Sequence, residues 1–235
     1  MRKQPNIYKI FENIDLSFEL YFEVIAAMED LLDERIAKLN AISEEKTKGI
    51  AESNDSEWTE FEMLGFGKLS TINYELPEDD QISFLESTMR DFFYKSLVIS
   101  VYSYWERYFN QILDRHIQLF PDSKPAEDIS RWGNKRKLEK ILNVTEYFYK
   151  TAQWKNFEVF RTIRNTIVHK SSKIDSKNTS IRLKNQIKYS NGLKLEGDFF
   201  YFSDKEYVLQ SISSCKEFFD LLRKDFQFFQ KIQDN

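Results

Sequence analysis

The chain has 235 residues, 31% of them charged and 41% hydrophobic, which is enough for one large domain or two small ones with a buried core. A single cysteine, Cys215, excludes an internal disulfide and a cysteine-based metal cluster, and with only two histidines the composition argues against a zinc site. The net charge of −4 argues against nucleic acid for the chain as a whole, but 131–194 carries 16 Lys/Arg against 4 Asp/Glu, a local +12 that favours a polyanion there.

Gly (6) and Pro (4) are scarce, while Phe (21) and Tyr (12) are abundant, so long helices around an aromatic core are expected. The N-terminus has no signal-peptide core, and no apolar run approaches the roughly 18 residues of a membrane span. The expected location is therefore the cytoplasm, with no membrane contact.

In chain order, 15–48 reads as a long amphipathic helix with Leu16, Leu20, Val24, Met28, Leu31, Leu32, Ile36 and Leu39 on its apolar side. A shorter helix is expected around 56–64. Residues 1–80 form an acidic helical extension, and 81–235 form the main helical bundle. Pro77 and Glu78-Asp79-Asp80 mark a helix start, and the helix should continue to about Phe120. Its middle, Leu97–Tyr104, is apolar on nearly all sides and should be central and buried. Glu106 interrupts it: either it faces solvent, or it is buried and holds a cation.

A basic helix is expected over 127–142 (Arg131, Lys135, Arg136) and another over 145–170, broken near Ala152-Gln153. From Ser180 to Tyr189 the apolar residues alternate with period two, and Asn191-Gly192 is a hairpin signal. These features predict a small β-hairpin at about 180–202, carrying Arg182, Lys184, Lys188 and Lys194. Ser203-Asp204-Lys205-Glu206 resembles a capping box that opens a last helix over about 205–231.

The candidate site lies at the end of the helix over 145–170. On a helical wheel, Phe160, Ile163 and Ile167 mark the core side, and Glu158, Arg161, Asn165 and His169 the open side. Asn165 and His169 are i, i+4 neighbours and reach one ligand together. Arg164 falls near the apolar edge and needs acceptors, with Glu106 as the candidate carboxylate. The other histidine, His116, has no comparable setting.

Arg164-Asn165-Thr166-Ile167-Val168-His169 resembles the Arg-Asn-x-x-x-His signature of HEPN domains. In that family too, an earlier long helix carries an aromatic and acidic stretch, as Tyr102–Phe109 does here. The resemblance covers about 85–232. It implies a mainly α, HEPN-like helical bundle, here with an N-terminal helical extension and a small β-hairpin before the last helix.

Many such proteins are metal-independent endoribonucleases that act as toxins or as antiviral and phage-defence effectors. The resemblance thus implies Arg164, Asn165 and His169 as catalytic residues, with no metal and no cofactor. Arg161, Lys170, Arg131, Lys135 and Arg136 become RNA-binding candidates, and a homodimer would line one cleft with two signatures. A regulatory or antitoxin protein is a further expected partner. The alternative is a non-catalytic HEPN-like module that binds RNA, nucleotide or a partner protein.

Overall fold

The computed structural model describes residues 7–52, 78–125, 127–174 and 178–233. The helix expected around 56–64 lies outside them. The order is α1 (Ile7–Glu52), α2 (Glu78–Ser83), a π-helical turn (Phe84–Met89), α3 (Arg90–Leu119), α4 (Asn134–Lys140), α5 (Ala152–Lys170), α6 (Asn178–Lys188), β1 (Leu193–Glu196), β2 (Phe199–Phe202) and α7 (Glu206–Gln233). The protein is mainly helical, with one two-stranded antiparallel hairpin before the last helix. Among the described residues, no helix is long and apolar enough to cross a membrane.

The chain forms two compact units. One comprises Val24–Phe93; the other comprises Met1–Glu23 and Tyr94–Asn235. In the first, Leu32, Ile36 and Leu39 of α1 close on Leu85 of the π-helical turn, with Ile82 and Met89 at the edge. Arg90 ties this packing with ion pairs to Glu29 (2.8 Å) and Asp33.

The second unit is built around α3. Tyr94, Val98, Val101, Trp105, Phe109 and Ile112 recur every three or four residues and are all buried, so the helix is central as expected. Within Leu97–Tyr104, however, Ser100 and Ser103 are exposed, and the helix buries one face rather than all sides. Trp105 sits at the centre, with ring centroids 4.2 Å from Phe157 of α5 and 5.1 Å from Phe218 of α7. The start of α1 docks here through Ile10, Phe11, Ile14 and Phe18. Its acidic side is answered by α7, where Arg223 pairs with Asp15 (2.9 Å) and Lys216 with Glu19.

Several local expectations change. Residues 178–188 are helical rather than the first part of a hairpin, so Lys184 and Lys188 lie on α6. The buried residues there, Leu183 and Ile187, are spaced i, i+4, while Ile181 is exposed. The hairpin turn is Gly197-Asp198 rather than Asn191-Gly192. Gly192 instead leads into β1 with φ +77°, where an added Cβ would stand 2.7 Å from the Tyr207 backbone nitrogen. The basic helix shortens to Asn134–Lys140, because Asp128 accepts hydrogen bonds from the Ser130 backbone (2.9 Å) and hydroxyl (2.8 Å), which fold the preceding residues into a turn. The cap of α7 is Asp204, whose Oδ1 accepts from the Glu206 N–H at 2.9 Å.

Candidate active site at the end of α5

Thr151 starts α5. Its extended backbone (ψ 154°) breaks the helical path, and its hydroxyl accepts the Trp154 N–H at 3.3 Å. That places the break one residue before the expected Ala152-Gln153. The core face is as the helical wheel implied: Phe160, Ile163 and Ile167 are buried, and Phe157 joins them. Glu158, Arg161 and Asn165 are partly exposed, and His169 is exposed.

The helix ends on two consecutive left-handed residues, Ser171 (φ 48°) and Ser172 (φ 65°). Left-handed backbone is costly for residues other than Gly, and two such residues directly after His169 and Lys170 store strain beside the candidate site. The Ser172 N–H closes the end by donating to the Thr166 carbonyl at 3.1 Å.

Arg164 is the best-defined member of the site. Its Nη1 donates to Asn165 Oδ1 at 3.0 Å, and its guanidinium lies over the Tyr102 ring, 4.6 Å from the centroid. Tyr102 is itself fixed: it stacks on Phe157 (6.3 Å, 12°), leans on Trp105 (5.5 Å), and its hydroxyl receives a long hydrogen bond (3.4 Å) from Asn134 at the start of α4. Burial pushes the Tyr102 phenol pKa up. The Asn134 hydrogen bond opposes this, Glu106 adds to it, and Arg161 and Arg164 oppose it. The phenol therefore stays neutral, and its ring face is a suitable seat for a cation.

Glu106 does not hold Arg164. It is exposed on α3, and no ion pair joins the two residues. The physical reason is that a planar guanidinium at the apolar edge of a helix gains as much from an aromatic face as from a carboxylate, without burying an anion. Tyr102 and Asn134 were not singled out from sequence. The available signal was an aromatic one turn before Glu106, on the same apolar helix.

The basic residues divide. Arg161 pairs with Glu158 at 2.7 Å. Lys135 lies 3.7 Å from Glu139 and over the Tyr149 ring (5.0 Å). Arg136 pairs with Glu127 (2.9 Å) and lies over the Trp132 ring (4.0 Å). The Lys135 and Arg136 pairs are exposed and the Arg161 pair is partly exposed, so each remains open to exchange for a phosphate. Arg131 and Lys170 are also exposed. Tyr102 links this segment to the site, touching Asn134 on one side and Arg164 on the other.

A cavity of about 720 Å³ lies elsewhere, between α5, α6 and α7, lined by Asn156, Asn185, Gln186 and Gln210 among others. Its lining holds no charged side chain, and on the helical wheel Asn156 is about 180° from Asn165. It is not where a phosphate would meet Arg164 and His169. Among the described residues, no group of three or more His, Cys, Asp or Glu is placed to hold a metal ion.

No protein-family model matches the chain, and neither does any curated protein or solved structure.

Proposed function

We propose that the protein is a metal-independent endoribonuclease of the HEPN type. The observation that carries this reading is the Arg164–Asn165 pair, seated on Tyr102, with His169 one turn further along the same open face. RNA supplies its own nucleophile in the 2′-OH, so guanidinium, carboxamide and imidazole groups can carry the reaction without a metal.

In the proposed reaction an imidazole takes the 2′-OH proton as the 2′-oxygen bonds to phosphorus. Arg164 stabilises the added negative charge on the phosphorane, and its contact with Tyr102 and Asn165 pre-orients it for that role. The P–O5′ bond then breaks, and an imidazolium delivers a proton to the leaving oxygen. The products are a 2′,3′-cyclic phosphate and a 5′-OH. One chain supplies one such imidazole, so the second is assigned to a second copy of the chain. The exposure of His169 is compatible with that arrangement. A role as a toxin or phage-defence effector under a regulatory partner belongs to the same proposal.

The test is cleavage of RNA in EDTA by the wild type, His169→Ala and Arg164→Ala. The proposal expects both substitutions to abolish cleavage. Unchanged activity in both would refute it. RNA binding without cleavage at any protein concentration would replace it with the non-catalytic RNA-binding module.

A further inference from the structure

We propose that the outer face of the β1–β2 hairpin is a stacking platform for unpaired bases of single-stranded RNA, continuous with the end of α5. The inference rests on the ribonuclease reading for the substrate class, but it concerns residues that reading does not use.

Residues opposite each other in an antiparallel pair share a face of the sheet. Leu193↔Phe202 and Leu195↔Phe200 form the inner face, where Phe200 and Phe202 are buried. Lys194↔Tyr201 and Glu196↔Phe199 form the outer face, where Phe199 is 50% and Tyr201 37% exposed. A solvated hairpin face is normally polar. These two adjacent outward aromatics lie outside the buried core that Phe200 and Phe202 join.

Cations stand in register with these rings. Lys173 bridges to Phe199 from the free side of β2, and its ammonium lies over that ring, 5.7 Å from the centroid. Lys194 is exposed directly opposite Tyr201. The face thus alternates ring and ammonium, the combination that takes up bases on π-faces and phosphates on lysines. A lysine stem is flexible enough for its ammonium to follow a phosphate off the ring. Glu196 is the one carboxylate on this face and is placed to accept from a base amino group. Asp198 in the turn is neutralised by Lys184 at 2.7 Å. An apolar protein partner would have to bury Lys173 and Lys194 without anions to meet them. A nucleic acid strand would not.

The platform is tied to the candidate site by backbone. After the two left-handed serines, 172–174 runs along β2: the Phe200 N–H donates to the Ser172 carbonyl (3.2 Å) and the Ile174 N–H to the Asp198 carbonyl (2.7 Å). Lys173 follows His169 by four residues, so their backbones are at most about 14 Å apart. One strand can lie on the rings with its scissile phosphate at Arg164 and His169.

The test is fluorescence anisotropy of the full chain with a labelled 2′-O-methyl oligouridylate, which lacks the free 2′-OH and is not cut. Cleavage of the unmodified oligonucleotide is followed in parallel. Phe199→Ala and Tyr201→Ala should each weaken binding by about 5- to 150-fold, the range for loss of one base–aromatic stack. Phe199→Trp should retain binding, and a duplex of equal length should bind less tightly than the single strand.

Alanine variants that bind within twofold of the wild type, or a wild type that does not bind, overturn the platform. So does an effect of these variants on self-association instead of binding, which would make the face a contact between copies of the chain. Binding that depends on Phe199 and Tyr201 without cleavage would sink the ribonuclease reading and leave the platform standing. Cleavage by alanine variants with unchanged binding would do the reverse.

Discussion

The seating of Arg164 on Tyr102 gives a prediction whose size follows from the structure. Tyr102→Phe removes only a hydroxyl with one long hydrogen bond (3.4 Å), so it should cost about 1 kcal/mol or less and leave the ring face in place. Tyr102→Leu keeps an apolar side chain but removes the face beneath the guanidinium, 4.6 Å from the ring centroid. The lost cation–π contact is worth roughly 0.5–2 kcal/mol. If that energy holds Arg164 in its reactive position, single-turnover cleavage should fall by about 2- to 30-fold in Tyr102→Leu.

The same substitution also loses stacking on Phe157 and Trp105, costing about 2–3 kcal/mol of stability, below the ~3–5 kcal/mol of a Phe→Ala truncation. Cleavage must therefore be measured where circular dichroism shows each variant fully folded. A second readout does not need activity. Arg164 Nε is buried, so its N–H should give a slowly exchanging NMR signal in the wild type and Tyr102→Phe. That signal should be lost in Tyr102→Leu. A folded Tyr102→Leu with the signal and the cleavage rate both unchanged would refute the argument.

Arg164→Lys should lower single-turnover cleavage at least about tenfold with little change in melting temperature, because an ammonium cannot lie flat on Tyr102 and present a planar fork to a phosphate. Gly192→Ala should lower the melting temperature by roughly 5–10 °C, since φ is +77° and the new Cβ would meet Asp204 Oδ1 and the Tyr207 backbone, each at 2.7 Å. Burial lowers the pKa of His116, against a smaller upward push from a backbone hydrogen bond with Ile141. The folded state therefore favours the neutral imidazole, while the unfolded chain takes up a proton near the ordinary value of about 6.5. Its contribution to stability should be intact above about pH 6.5 and be lost as pH falls from there through the lower folded value. Urea unfolding between pH 8 and pH 5 should show that loss, and His116→Phe should flatten it.

The long-range organisation was legible along α3 and α5 but only in part along α1, where Leu16, Leu20, Val24 and Leu31 were read as the apolar side and are exposed, while Phe11, Ile14, Phe18 and Ile25 are buried. α3 offers eight buried positions at helical spacing from Tyr94 to Ile112, and α5 shows its core and open faces on a simple wheel. Short segments were misread. Five alternating residues at 180–184 fit a strand as well as a helix, and the pair that decides, Leu183 and Ile187, is set by burial that the sequence does not display. Asn191-Gly192 is a strong turn signal, yet Gly192 is required by its approach to Asp204 and Tyr207, a contact made only after folding. At the site, the residues sharing the open face of α5 were readable because they lie on one helix. The partner of Arg164 was not, because charge alone favours Glu106, while packing brings the ring of Tyr102 beneath it. The aromatic hairpin face escaped notice because Phe199-Phe200-Tyr201-Phe202 has no alternation: which two rings point out depends on the pairing register.

The most direct test of the central claim is the chemistry of the RNA ends left by the wild type in EDTA, compared with those left by His169→Ala. The account predicts new 2′,3′-cyclic phosphate and 5′-OH ends from the wild type and none from the variant. Identical ends and rates from both proteins, or ends carrying a 5′-phosphate, would contradict it.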